Sequence, residues 1–228
     1  MTAANLFPRV ARRGRVPALA RALGGALLVG ALAATATAPL AGCAGRSTVG
    51  DDLAQAAEDR AQRRAEASRL HAEGDRAMRA GNAARAEELY RRAVTLDPEN
   101  AGAWNNLGVC LMERSEGSQA ASAFINAANL QPAHAGPYEN LGVLYMRTGW
   151  AAQARDYFVR ALERDPSSTV ALRGYAQAVS AVMEPDDADL ELLRRGMIAE
   201  TDPRWRELIQ RQVARVEEFQ RDRRRGTR

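Results

Sequence analysis

The stretch AGAWNNLGVCLMERSEGSQAASAFINAANLQPAH, residues 101–134, runs without a gap into AGPYENLGVLYMRTGWAAQARDYFVRALERDPSS, residues 135–168, and a pattern shared by the two decides the fold. Laid over one another they pair Leu107 with Leu141, Gly108 with Gly142, Ala120 with Ala154, Phe124 with Phe158, Ala127 with Ala161 and Pro132 with Pro166, always 34 residues apart. A third copy precedes them over residues 67–100, with Gly74, Ala86, Tyr90, Ala93 and Pro98 in the same places. Five positions that agree in three copies mark an internal repeat. A repeat of this length is one supersecondary unit that buries its apolar face against its neighbours.

The residue types at these positions have physical reasons. Glycine inside a helix costs about 1 kcal/mol against alanine, so Gly74, Gly108 and Gly142 imply the close approach of a neighbouring helix. Ala86, Ala120 and Ala154 do the same on the second helix, and Tyr90, Phe124 and Phe158 are expected to fill the space between repeats. Pro98, Pro132 and Pro166 end each second helix, because proline cannot continue a helix interior. Gly81 and Gly149 supply the turn within a hairpin, and Ser115 takes that place in the middle copy. Each unit therefore reads as two antiparallel helices, and the scarcity of aromatics, 5%, agrees with closely packed helices.

This pattern resembles the tetratricopeptide repeat, and the resemblance implies an all-α, right-handed α-solenoid of antiparallel helix pairs. It is carried by Trp104, Leu107, Gly108, Ala120, Phe124, Ala127 and Pro132 in one copy, and by Tyr138, Leu141, Gly142, Tyr145, Ala154, Phe158, Ala161 and Pro166 in the next. The first copy departs from the pattern at Leu70, Glu73 and Ala77. A fourth frame, residues 169–202, keeps Leu172, Ala176, Ala188 and Leu192 but has Arg195 and Glu200 where alanine and proline belong, as expected of a degenerate terminal repeat. Residues 203–228 predict a capping helix with a basic tail. Asp202 stands as its cap, Pro203 at its first position, and Trp205, Leu208, Ile209, Val213, Val216 and Phe219 form one apolar stripe. Residues 53–66, alanine mixed with charge, predict a lead-in helix started by Asp51 or Asp52.

The formal charge is +4, from 32 basic residues, all arginine, against 28 acidic ones. Residues 1–42 contain five of the arginines and no acid, so without them 27 basic residues face 28 acidic ones. The basicity thus belongs to the leader, and no nucleic acid partner is expected. Arg9, Arg12, Arg13, Arg15 and Arg21 precede the uncharged run Ala22 to Ala34, which is the layout of a secretory signal. The run closes with Leu40-Ala41-Gly42-Cys43. This resembles the lipobox of bacterial lipoprotein precursors, which implies cleavage of residues 1–42 and lipid on Cys43, followed by a tether over residues 43–52. An uncleaved membrane anchor over residues 22–38 is the competing reading. Ala44, in place of the aspartate that retains many such lipoproteins at the inner membrane, points to the outer membrane facing the periplasm.

First helices of such arrays line a concave groove. The expected groove residues are His71, Asp75 and Met78, then Asn105, Asn106, Val109, Met112 and Glu113, then Glu139, Asn140, Val143, Met146 and Arg147, and finally Arg173, Gln177 and Ser180. Val109 and Val143 share one repeat position and Met112 and Met146 another, which predicts a soft apolar strip bordered by amides. The competing reading packs these methionines against adjacent helices. One subset of the family grips a peptide's terminal carboxylate. Asn106 matches that clamp, but His71, Asp75, Gly136 and Asn140 bring no cation to it, so an extended or helical segment with apolar anchors fits better.

Two histidines, and Cys110 as the one cysteine besides Cys43, give no nucleophile dyad or metal spacing; neither an enzyme nor a cofactor is expected. Asp186, Asp187 and Asp189 suggest either cation binding or, with Pro185 before them, a helix cap. The arginines of residues 221–228 read as a solvated helix end rather than a contact for acidic head groups. The resemblance implies a membrane-anchored scaffold that binds a protein or peptide segment in the cell envelope, in the manner of lipoproteins that assist pili or secretion channels. A spacer or self-associating surface protein and an accessory subunit of an envelope enzyme are the alternatives.

Overall fold

The computed structural model describes residues 49–226, and among them every regular element is a helix. The leader, the lipobox and Cys43 lie outside the described residues. The elements are α1 (Val49–Arg79), α2 (Ala83–Leu96), α3 (Ala101–Glu113), α4 (Gly117–Leu130), α5 (Gly136–Arg147), α6 (Ala151–Arg164), α7 (Thr169–Ala181), α8 (Asp187–Ala199) and α9 (Pro203–Gly226). Helices α1 and α2, α3 and α4, and α5 and α6 pack as hairpins, and α2 then meets α3, α4 meets α5 and α6 meets α7. The first helices also touch in series, α3 on α5 and α5 on α7, which makes the array an α-solenoid.

Each hairpin turn closes on one residue in the left-handed region: Gly81 at φ 75°, Ser115 at φ 63° and Gly149 at φ 82°. Around each, two hydrogen bonds take up the last carbonyls of the first helix. The Ser115 amide donates to Met112 O at 3.1 Å and the Glu116 amide to Leu111 O at 2.9 Å, and Gly81 and Gly149 repeat the arrangement. Ser115 adopts a backbone that costs a residue with a Cβ about 1 kcal/mol, so position in the repeat overrides residue preference here. At the boundaries between hairpins, the Trp104 indole N–H donates to Pro98 O at 2.9 Å, and the equivalent Tyr138 hydroxyl reaches Pro132 O at 3.5 Å.

The repeat glycines face rings rather than helix backbones. A methyl group added at Gly74 would lie 2.5 Å from Tyr90 Cε1, at Gly108 2.5 Å from Phe124 Cε1, and at Gly142 2.6 Å from Phe158 Cε1. All three rings are fully buried. They seat edge against the first helix of their own hairpin, and they also reach the next unit, Tyr90 at Asn106 on α3 and Phe158 at Gly174 on α7.

Both ends of the array differ from expectation. The lead-in helix is not a separate element: α1 is continuous through residues 49–79, and Asp51 and Asp52 lie in its first turn instead of ahead of it. No proline stands in that span, and its one interior glycine after the first turn, Gly74, is held by Tyr90. At the other end α8 touches α7 little and packs mainly on α9, which also lies against α7. The chain leaves α7 in an extended conformation at Val182, without a left-handed closing residue. Arg215 of α9 reaches back and donates to Val182 O and, at 2.7 Å, to Val179 O, which also accepts from the Val182 amide at 3.2 Å. Asp186 and Asp189 form a reciprocal capping box on α8, so the acidic cluster is a cap.

Glu200 occupies the position of the missing fourth proline and is fully buried, 0% exposed. Arg173 donates to both of its oxygens, Nε at 2.8 Å and Nη2 at 3.0 Å, and the Asp202 amide donates at 2.8 Å. Those bonds, led by Arg173, hold its carboxyl at about 2, below its ordinary 4.5. A depressed carboxyl stabilises the fold fully above pH 4.5 and loses that contribution as pH falls toward 2.

Two predictions follow from this packing. Gly108→Ala should lower stability by about 1–3 kcal/mol in chemical denaturation despite its better helix propensity, and pairing it with Phe124→Leu should cost less than the sum of the single changes. Glu200→Gln should lower the thermal midpoint at neutral pH, with the gap to the parent protein narrowing in melts recorded from pH 4.5 down to pH 2.

A candidate interaction groove along the first helices

Helices α1, α3 and α5 each bring two or three polar side chains to the same side of the array, and the amides among them join into one chain. Asn140 Nδ2 on α5 donates to Asn105 Oδ1 on α3 at 2.9 Å. Asn105 Nδ2 donates to Asn106 Oδ1 at 3.2 Å, and Asn106 Nδ2 donates to Asp75 Oδ1 on α1 at 3.0 Å. Every donor points toward the Asp75 carboxylate. Asn106 Nδ2 also lies 3.2 Å from His71 Nε2, which brings the imidazole into the same cluster.

Tyr90, on α2, was not legible as a member of this group, yet its hydroxyl donates to Asp75 Oδ1 at 2.8 Å. Burial first, and then the neighbouring Asp75, push the phenol well above its ordinary range, so it remains a donor. The signal was present in the sequence, since the repeat aromatic is tyrosine here and phenylalanine in the next two copies. The His71 ring stands edge-on to Tyr90, centroids 5.8 Å apart, and rests over Gly102, where an added methyl would lie 2.6 Å from its Cε1.

The apolar strip is narrower than expected. Val109, Val143, Met146 and Met78 are half-buried and packed against the core, but Met112 is only 8% exposed and belongs to the core itself. Met112 joins the core of the first two helix pairs, whereas Met146 lies half-buried against the core of the later helices. Cys110 donates to Met78 Sδ at 3.7 Å, and burial above all raises its thiol to about 11, which leaves it a packing group.

The outer groove residues are partly committed elsewhere. Glu139 accepts from the hydroxyl of Ser168, the N-cap of α7, and Arg173 is held by Glu200. Glu113, Arg147, Gln177 and Ser180 are exposed. The groove is therefore most structured over the first three helix pairs, with amides at its centre, a carboxylate at the α1 end and apolar side chains beside them. Among the described residues no group of three His, Cys, Asp or Glu side chains is arranged to hold a metal ion.

Comparison with known proteins agrees with this architecture. Residues 71–140 match one family model described as tetratricopeptide repeat, and residues 135–168 match a second with the same description. No curated protein sequence matches the chain. Among solved structures, part of a mutant O-GlcNAc transferase from Thermobaculum terrenum superposes with a TM-score of 0.54 and 25% identity, covering 61% of this chain and 27% of that one. MamA protein superposes with a TM-score of 0.53 and 21% identity over 67% of this chain and 88% of its own. The first TPR of Spaghetti, solved bound to an HSP90 peptide, superposes with a TM-score of 0.50 and 19% identity over 52% of this chain and 94% of its own. The latter two likenesses concern the fold alone. Residues 71–168 thus match the tetratricopeptide repeat models, and they lie within an array that is all-helical among the described residues.

Proposed function

We propose that this protein is a non-catalytic scaffold whose groove on α1, α3 and α5 binds an extended segment of a partner protein, and that lipid on Cys43 holds it in the cell envelope. The observation that carries the binding reading is the amide chain from Asn140 through Asn105 to Asn106. Asn140 uses one N–H, and Asn105 one N–H and one lone pair, which leaves each of them an N–H and at least one carbonyl lone pair for a ligand. Amides held in place by one another lose little freedom on binding, so they suit the alternating donors and acceptors of an extended main chain. Val109, Val143 and Met146 lie alongside as surfaces for apolar side chains.

The anchoring half of the reading rests on residues 1–43 alone: an arginine-bearing start, an apolar run, and Leu40-Ala41-Gly42-Cys43. Among the described residues no helix is long and apolar enough to cross a membrane. The continuous α1 would then join an anchor six residues upstream of it to the first hairpin. Assistance to a pilus, a secretion channel or another envelope assembly is the process we assign to such a scaffold.

Replacing Asn105 and Asn140 together by alanine should reduce crosslinked partner capture from membranes by about tenfold, while the thermal midpoint moves only slightly; capture at the parental level would exclude the groove. Cys43→Ala should shift the protein from the membrane fraction to the soluble fraction, and its persistence in membranes would exclude lipid anchoring.

A further inference from the structure

Asp75 sits at the α1 end of the groove and carries the only charge in the amide chain. Its three neighbours within the cluster all converge on one oxygen: Tyr90 at 2.8 Å, Asn106 at 3.0 Å and His71 Nε2 at 3.7 Å all face Oδ1. Oδ2 receives no hydrogen bond or ion pair from the described residues, and none of their arginine nitrogens comes within 4.0 Å of the carboxylate. The side chain is nonetheless 35% exposed. Three buried carboxylates elsewhere in the array, Glu87, Asp189 and Glu200, each bind an arginine. Asp75 is held on Oδ1 by Tyr90 and Asn106, has His71 Nε2 3.7 Å from the same oxygen, keeps Oδ2 open and lacks the arginine that each of those other acids has.

We propose that Asp75 Oδ2 is the docking point for a lysine or arginine side chain of the bound segment. The inference rests on the groove reading given above and adds a charge requirement to it. Met78, one turn along α1 on the same face, and Val109, at the Asp75 position of the next repeat, are both half-buried apolar groups. They flank the carboxylate where the methylene stem of a basic side chain would lie, so that head and stem each meet a matching surface. The Tyr90 and Asn106 bonds fix the carboxylate before the ligand arrives, which limits the freedom lost on pairing.

The test uses the full chain in detergent and capped twelve-residue peptides, degenerate except for a central arginine, lysine, citrulline or glutamate. Capping removes the terminal amine as a competing cation, and citrulline keeps the shape of arginine without its charge. Arginine and lysine peptides should be retained about fivefold or more over citrulline and glutamate peptides. Asp75→Asn keeps an oxygen for Tyr90 and Asn106, so it should fold and bind peptides while losing that preference. Glu191→Gln, an exposed carboxylate on α8 outside the groove, should keep it. Equal retention of all four peptides, or a preference that survives Asp75→Asn or disappears equally in Glu191→Gln, would overturn the inference and leave the groove reading intact. Retention of none of them would remove both.

Discussion

The fold depends on one steric fit: an aromatic ring from the second helix of each pair lies against the first helix where that helix has no side chain. Gly74, Gly108 and Gly142 provide the gap, and Tyr90, Phe124 and Phe158 fill it at distances that would not admit one methyl group. The contact offsets the helix-propensity cost of the glycines and sets how closely the two helices pack. Because it lies within a pair, each pair carries its own specification. Boundary contacts such as Trp104 to the Pro98 carbonyl then stack one pair on the next.

The same fit decides which surface is available for binding. With the ring edge on the glycine face of each first helix, the neighbouring positions on that helix turn toward the groove, and amides in adjacent repeats come within hydrogen-bonding reach. Asn105 and Asn140 are 35 residues apart in the chain and 2.9 Å apart in space because both stand on helices set by the same contact. The first repeat alone has a hydroxyl on its aromatic, and through it the core side of the hairpin is bonded to Asp75 on the groove side.

Much of this was legible because a repeat reports itself three times. The interval of 34 residues located the hairpins, the small and aromatic positions and even the left-handed Ser115, whose place was given by Gly81 and Gly149 rather than by its own preference. What the period could not carry was anything unique to one copy. Met112 and Met146 are equivalent in sequence, yet Met112 is a core residue and Met146 is half-buried. Glu200 read as a defect in the fourth copy, since its partner Arg173 lies 27 residues away on another helix. The separation of α8 from α7 was equally hidden, because it arises from α9, which lies outside the period, occupying part of the position beside α7.

The unbroken course of α1 has a mechanical consequence. At 1.5 Å per residue its 31 residues make a rod about 46 Å long, and the residues before Ala67 are all exposed. A sideways pull at Val49 is therefore delivered as torque to the far end of a stiff lever. It is first held by the Arg64 pairs with Asp97 and Glu99 and by buried Ala67 and Leu70, just ahead of the seat of Gly74 on Tyr90. Tension on the upstream chain would load the first hairpin before any other, and α1 would carry it to Asp75 and its bonds to Tyr90 and Asn106.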